Sequence, residues 1–274
     1  MKVKDPFLPV VIIIALVVAA GAYYYWIQGE REQAQTQAPP QAPAPPAETS
    51  APPAAEAKPE IRYPIESITS PALGKESAAL PPLRESDETL QAAAAELIGG
   101  ETLNRFFNIK DIARRFVVTV EELPRRKVGQ RYNLVKPVPG TFVVAGKDED
   151  MSIGAANYRR YASYVTLAEA VPTEKLVAVY VHFYPLLQEE YKSLGYPKRY
   201  FNDRLVETID DLLAAPEIDG PIALRQPKVM YEFADPALES LSAGQKIMIR
   251  MGGENAAKIK AKLRKIRNAI TAVH

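Results

Sequence analysis

The sequence predicts a mainly α domain with one or two short β-strand pairs (α+β), carried behind a single N-terminal transmembrane helix and a disordered Pro/Ala-rich linker. Three observations lead there. Residues 7–27 form one uninterrupted apolar block. Residues 28–60 hold eight Pro and nine Ala, but no aromatic residue and no aliphatic residue larger than Ala. From about Ile61 apolar residues recur at spacings of three and four, the helical period, with brief extended stretches between.

Residues 1–6 make a short cytoplasmic start. The block at 7–27 has the length of a bilayer-spanning helix, about 20 residues. Tyr23, Tyr24, Tyr25 and Trp26 at its far end suit an interfacial aromatic belt, and Pro9 falls in the first turn, where a missing N–H costs little. Ala20-Gly21-Ala22 resembles a cleavage site, so a signal peptide is the rival reading. Lys2 and Lys4 precede the block, whereas only Arg31 follows closely, beside Glu30 and Glu32. The positive-inside rule then keeps the N-terminus cytoplasmic and places everything after Gln28 outside. The linker at 28–60 has nothing to bury, so polyproline II is its expected state, with a reach of roughly 100 Å at about 3.1 Å per residue.

Residues 61–274 have a globular composition and enough length for a sizeable core. Ser86 is placed to cap a helix to Ile98, stopped by Gly99-Gly100. Asn108 is the expected cap of the next, along which Ile109, Ile112, Phe116, Val120 and Leu123 recur. Arg125 to Gly146 reads as extended, with a Pro137–Gly140 turn and a strand over 141–145, before a solvated tip at 147–150. Asn157–Ala170 and Thr173–Leu194 are predicted helices, the second containing Pro185 and ended by Gly195. Pro197 is expected to open a helix with Leu205, Val206, Ile209 and Leu212 inward. Short strands follow over 222–225 and 229–233, then a turn of helix from Asp235. Ser242 caps a helix to Met251, Gly252-Gly253 interrupts it, and 254–272 form the last helix.

Composition narrows the chemistry. The 274 residues carry 34 Lys/Arg against 33 Asp/Glu, no Cys and two His. Disulfides, thiolate nucleophiles and Cys-ligated metals are excluded, and His182 with His274 cannot make an H-E-x-x-H site. No metal and no cofactor is expected. Near-neutral charge argues against nucleic acid. No G-x-S-x-G elbow or G-x-x-x-x-G-K-[ST] loop is present. This inventory leaves catalysis open and leans against it.

Several constellations remain as candidates. Asp203, Glu207, Asp210 and Asp211 share the helix side opposite Leu205 and Ile209. They read as a solvated acidic face, or as carboxylates for a cation or for acid–base work. Eight of fourteen Tyr fall between 158 and 200 among Arg159, Arg160, Lys198 and Arg199. They suit either a sugar-, polymer- or protein-binding surface or tyrosines covering helix seams. His182 lies on the polar side of its helix. The last helix carries Lys258, Lys260, Lys262, Arg264, Lys265 and Arg267, a solvated basic side or a lipid-phosphate surface. The Ser242 helix start can hold an anion on free N–H groups. The binding candidates are therefore Arg114, Arg115, Tyr161, Asn202, Asp203, Arg204, Gln245, Lys246, Arg250 and Asn255.

The strings Arg114–Val117, Pro137–Gly140, Tyr200–Glu207, Phe233–Pro236, Leu241–Lys246 and Arg250–Gly252 together resemble a bacterial family, domain of unknown function 3014. The resemblance takes in most of residues 61–274. It implies a shared plan of short cytoplasmic start, membrane helix, Pro-rich tether and this domain, and a Gram-negative periplasm as the outer compartment. It implies no activity, cofactor or catalytic residue. This copy departs from the expected pattern in having Gly252-Gly253 where a more varied pair is expected.

The expected function is a single-pass protein of the bacterial inner membrane, anchored through 7–27. Its periplasmic domain would bind an envelope protein or cell-wall polymer without catalysis. An envelope-acting enzyme using Asp203 or Glu207 is one alternative. A small-anion sensor at Lys246 and Arg250 is the other.

Overall fold

The computed structural model describes residues 61–68, 80–129 and 131–272. The apolar block at 7–27 and the linker at 28–60 lie outside the described residues. No helix among the described residues is long and apolar enough to cross a membrane.

The described residues are mainly helical with two small antiparallel strand pairs. The helices are α1 (Asp87–Ile98), α2 (Gly100–Phe106), α3 (Ile112–Glu122), α4 (Ala156–Ala170), α5 (Thr173–Ser193), α6 (Phe201–Leu213), α7 (Pro236–Ser240), α8 (Ala243–Arg250) and α9 (Gly253–Thr271). The strands are β1 (Val144–Ala145), β2 (Ser152–Ile153), β3 (Leu224–Arg225) and β4 (Glu232–Phe233). β1 pairs with β2 and β3 with β4. A single bridge, Ser152 to Ala223, stitches the two pairs together.

The helical core is built on α9, which packs against α4, α5 and α6, while α3 packs against α5 and α6. Ile259, Leu263, Ile266 and Ile270 on α9 are at most 1% exposed. Each such side chain contributes about 1.5–3 kcal/mol of transfer free energy, an upper figure because the unfolded chain is already partly collapsed. A second, smaller core joins Ile153, Ile222, Leu224, Phe233 and Ile249 under the strands. α8 connects the two: Ile247 and Met248 face the helical core and Ile249 the small one.

Several boundaries differ from expectation, each for a local reason. Gly100 does not stop a helix but starts α2. Asn108 does not cap α3. Asp111 holds that position with a left-handed φ of 55°, and the Asp87 carboxylate accepts from Asp111 N (2.7 Å) and Ile112 N (2.9 Å). A cap supplied by another helix outcompetes the local Asn, which donates to Asn133 O instead. Ser86 turns its hydroxyl back to Leu83 O rather than capping α1. α6 begins at Phe201, not at Pro197, because 196–199 close a turn first.

α8 fits the sequence reading: Ser242 and Gln245 form a reciprocal capping box. Gly244 is required there, since a Cβ would lie 2.5 Å from Leu212 Cδ2 and 3.3 Å from Leu123 O. Gly252 is required twice over, by a φ of +85° and by the Tyr158 ring 2.7 Å from where a Cβ would stand. Gly253 has nothing within 4 Å of such a Cβ, so that half of the unusual pair is free to vary.

Candidate functional site

The start of α6 fastens residues 62–65 to the domain. Asp203 accepts from Tyr63 N (2.8 Å) and Arg62 N (3.1 Å). Tyr200 Oη accepts from Ile65 N (2.8 Å). Asn202 is fully buried: its Nδ2 donates to Tyr63 O (2.9 Å) and Ile270 O (3.2 Å), and its Oδ1 accepts from Tyr180 Oη (3.0 Å). Burial pushes the Tyr180 hydroxyl well above its ordinary pKa, so it stays a donor. Asn202 and Asp203 are thus committed to positioning 62–65.

The other α6 carboxylates are partnered as well, so the acidic face is partly solvated but charge-paired, and no paired-carboxylate centre forms there. Glu207 pairs with Arg62 (2.9 Å), Arg204 (3.2 Å) and Arg199 (3.5 Å). Asp210 pairs with Arg267, and Asp211 accepts from Ser242 Oγ (2.6 Å). No group of three or more potential metal ligands occurs among the described residues.

Glu121, which sequence reasoning passed over, organises the neighbouring face. It is 7% exposed and lies on α3. Arg204 Nε donates to its Oε2 (2.8 Å), Arg204 Nη2 to its main-chain O (2.8 Å), and Arg125 Nη2 to its Oε1 (2.9 Å). The Tyr196 and Tyr191 hydroxyls also donate to it (3.1 and 3.3 Å). Burial alone would raise its pKa, but the Arg125 hydrogen bond, the Arg204 charge and Tyr196 more than reverse this and hold it below the ordinary value. The Tyr191 and Tyr196 rings stack at 4.7 Å, and the Arg199 guanidinium stands 5.9 Å from the Tyr196 ring. The result is a rim of exposed cations, Arg62, Arg125 and Arg199, held in place from beneath by two carboxylates and two tyrosines.

In the first turn of α3, Arg114 lies 3.4 Å from Glu190 and stands 4.8 Å over the Tyr132 ring. Arg115 reaches no carboxylate. It clamps the carbonyls of Lys110 (2.5 Å), Asn133 (2.9 Å) and Arg131 (3.4 Å). Of the two adjacent arginines, Arg114 thus pairs with a carboxylate and Arg115 with main-chain carbonyls. Arg160 does similar work, clamping the Val138, Pro139 and Gly140 carbonyls.

The Ser242 helix start does not offer free N–H groups to an anion. Ala243 N donates to Arg125 O (2.7 Å), Gly244 N to Leu123 O (2.9 Å) and Gln245 N to Ser242 Oγ (3.0 Å). Gln245 Nε2 reaches Asp211 O, and buried Lys246 pairs with Glu239 (2.9 Å). Arg250 is 6% exposed and stands 4.9 Å over the Phe233 ring. Asn255 caps the Met251 and Tyr158 carbonyls. Tyr161 is buried with its hydroxyl unpartnered, and burial pushes its pKa up to about 12.

Two lysines of α9 are interior, which corrects the reading of that side as solvated or lipid-facing at Lys260 and Lys262, while Arg264 and Lys265 are exposed. Lys260 donates to Ala215 O (2.7 Å), just past α6, and Lys262 to Val171 O at the end of α4. Each places a cation at a helix C-terminus, where the dipole favours it. His182 is half-buried and meets Phe183 edge-on (4.7 Å). A cavity of about 60 Å³ among Leu90, Phe116, Leu176 and Phe183 has an apolar lining. It is far below the 300–1,000 Å³, roughly, of drug-sized ligand pockets.

Of the sequence candidates, the structure brings Asn202, Asp203 and Arg204 together at the Glu121 face. Arg114 and Arg115 lie at the far end of α3, while Tyr161, Lys246, Arg250 and Asn255 lie at the junction with the small core. The fold and this face define an α+β domain with a preformed arginine–tyrosine rim and its carboxylates already neutralised. Residues 112–267 match the family described as Protein of unknown function (DUF3014), and the chain belongs to that family. The match begins at α3, so α1, α2 and residues 61–68 lie outside it. No curated protein and no solved structure matches the chain.

Proposed function

We propose that this chain is a single-pass, inner-membrane-anchored envelope protein. Its domain sits on the periplasmic side and binds a protein or cell-wall partner without catalysis. The observation that carries the reading is the rim of Arg62, Arg125 and Arg199 around Tyr196. Its guanidiniums are pre-positioned by Glu121 and Glu207, so little side-chain ordering is left to be done on binding. Arginine and tyrosine are the residue types that anchor interfaces. The carboxylates that an envelope enzyme would need on α6 are instead bound to backbone and arginines. The fastening of 62–65 to Asn202, Asp203 and Tyr200 gives a tether a fixed point of entry beside this rim.

The test is in-cell crosslinking of the tagged full-length chain, followed by mass spectrometry, repeated with the double variant R125A/R199A. One dominant envelope partner, lost in the double variant, is the expected result. Recovery of the same material with and without the rim arginines would sink the reading.

A further inference from the structure

The arginine–tyrosine rim sorts its charges by depth. Residues 61–66, 121–129 and 196–207 build it, with seven Lys/Arg and five Asp/Glu. Six of the seven cations are exposed, whereas of the five acids only Glu66 is. Glu121, Glu122, Asp203 and Glu207 lie lower and are spent inside the domain. Glu121 and Glu207 hold arginines, Glu122 accepts from Gly129 N (2.6 Å), and Asp203 accepts from the main chain of 62 and 63. The exposed guanidiniums are only partly used. Arg62 and Arg199 each turn Nη2 to Glu207 (2.9 and 3.5 Å), and Arg125 turns Nη2 to Glu121 and to Tyr196 Oη (both 2.9 Å). Among the described residues, no hydrogen bond is made by Nε or Nη1 of these three side chains. The side chains of Arg62, Arg125 and Arg199 are 62%, 52% and 46% exposed, so a partner can reach them.

We propose that Arg62, Arg125, Arg199 and Tyr196 take an acidic segment of a protein, one that carries Asp or Glu a helical turn apart. This rests on the partner-binding reading and narrows it to one class of partner. A guanidinium holds its N–H donors in a fixed plane, and with only Nη2 committed the others are left for carboxylate oxygens. Phosphate oxygens would satisfy the same donors, but two features favour carboxylates fixed on a protein. The guanidiniums are held from beneath, and pre-positioned donors gain most from acceptors that are themselves held in place. A fluid layer of lipid phosphates gains little from them. Arg62 and Arg199 also stand on the two oxygens of one carboxylate, so they lie side by side. Acidic residues one turn apart on a helix, roughly 5–6 Å between Cβ atoms, suit such neighbours. Tyr196 is half-buried between Arg125 and Arg199 and adds a ring of the kind found in protein interfaces. The lower carboxylates do not compete for the same surface, because the arginines and the main chain already hold them.

The experiment is fluorescence anisotropy of labelled peptides with the full chain in nanodiscs of neutral lipid. One peptide is an alanine-based helix of roughly 20 residues, long enough to be helical, with Glu pairs one turn apart. In its counterpart every Glu is Gln. The wild type is expected to bind the Glu peptide at least about tenfold more tightly, through charge-assisted hydrogen bonds. The difference should shrink at about 1 M salt, where the screening length falls to about 3 Å. The double variant R125A/R199A should erase the preference, and Lys258→Ala, on the exposed start of α9, should leave it unchanged. Circular dichroism checks that each variant folds. If the double variant does not fold, Arg62→Gln and Arg199→Gln decide singly, each weakening the Glu peptide alone. Equal binding of the two peptides overturns the proposal, as does a preference that the rim variants keep. Loss of Glu-peptide binding on nanodiscs containing phosphatidylglycerol also overturns it and hands the rim to lipid phosphates. If the proposal falls while rim-dependent capture persists in cells, the partner-binding reading stands. Capture that ignores the rim sinks that reading whatever the peptides do.

Discussion

Glu121 and Glu190 both meet the last turn of α5, Glu121 through the Tyr191 hydroxyl and Glu190 as part of it, and they are nearly equally buried, at 7% and 6% exposure, yet their surroundings differ. Glu121 accepts from two arginines and two tyrosines. Glu190 has one arginine at 3.4 Å and an Oε1 that accepts nothing. Their pKa values move in opposite directions, down for Glu121 and up for Glu190. Burial is therefore not what decides the state of these carboxylates; the number of donors aimed at them is. A satisfied carboxylate serves as a structural post, and an under-satisfied one adds little to stability.

The comparison breaks most visibly at Glu121. Glu121→Ala leaves Arg204, whose side chain is only 14% exposed, without its main charge partner. Removing one member of such a buried pair costs about 3–5 kcal/mol. Urea denaturation should show a loss in that range. A loss under ~1 kcal/mol would mean the rim is not organised from beneath. Next comes Asn202→Ala, which deletes three side-chain hydrogen bonds at a fully buried position. A cost of about 1–3 kcal/mol is expected, because Tyr180 Oη and the Tyr63 carbonyl lose their partners. Hydrogen exchange at Ile65 should speed up more than at Ile270, because 62–65 are held mainly by side chains of the α6 start whereas Ile270 lies within α9. Equal changes at both would show a general loss of the α6–α9 packing instead.

The helical scaffold was legible from periodicity. Ile259, Leu263, Ile266 and Ile270 declare a face at spacings of three and four, and the Ser242 capping box is local enough to read directly. The α3 boundary was not legible, because its cap is Asp87, donated from 24 residues away. Lys260 and Lys262 misled for a similar reason: their partners are the ends of α6 and α4, which no local pattern announces. Glu121 and Glu190 did leave a signal. Glu121 falls four residues after Val117, and Glu190 follows Phe183 by seven and Leu187 by three, so both sit on apolar stripes. A carboxylate on the buried stripe of an amphipathic helix needs donors from elsewhere. What the stripe could not say is whether they arrive.

The two carboxylates should also respond to pH with opposite signs. Glu121 has a lowered pKa when folded, so the unfolded state binds more protons between the two values, and stability is lost as pH falls through that window. Glu190 has a raised folded pKa, so the folded state binds more protons, and stability falls as pH rises from the ordinary carboxylate value through the raised one. Thermal melts from pH 3 to pH 7 on the single variants Glu121→Gln and Glu190→Gln separate these slopes. Removing Glu121 should flatten the gain in stability on leaving acid; removing Glu190 should steepen it.

The smallest expected effect is the most informative. Glu190→Gln at pH 7 removes a charge that is poorly hydrogen-bonded and keeps the volume, so its stability should lie within about 1 kcal/mol of wild type, on the stabilising side. A urea midpoint equal to or above wild type would separate the two carboxylates, with Glu121 a structural post and Glu190 not. A destabilisation approaching that of Glu121→Ala would make Glu190 a second post, held by Arg114, and the asymmetry between the two carboxylates would vanish.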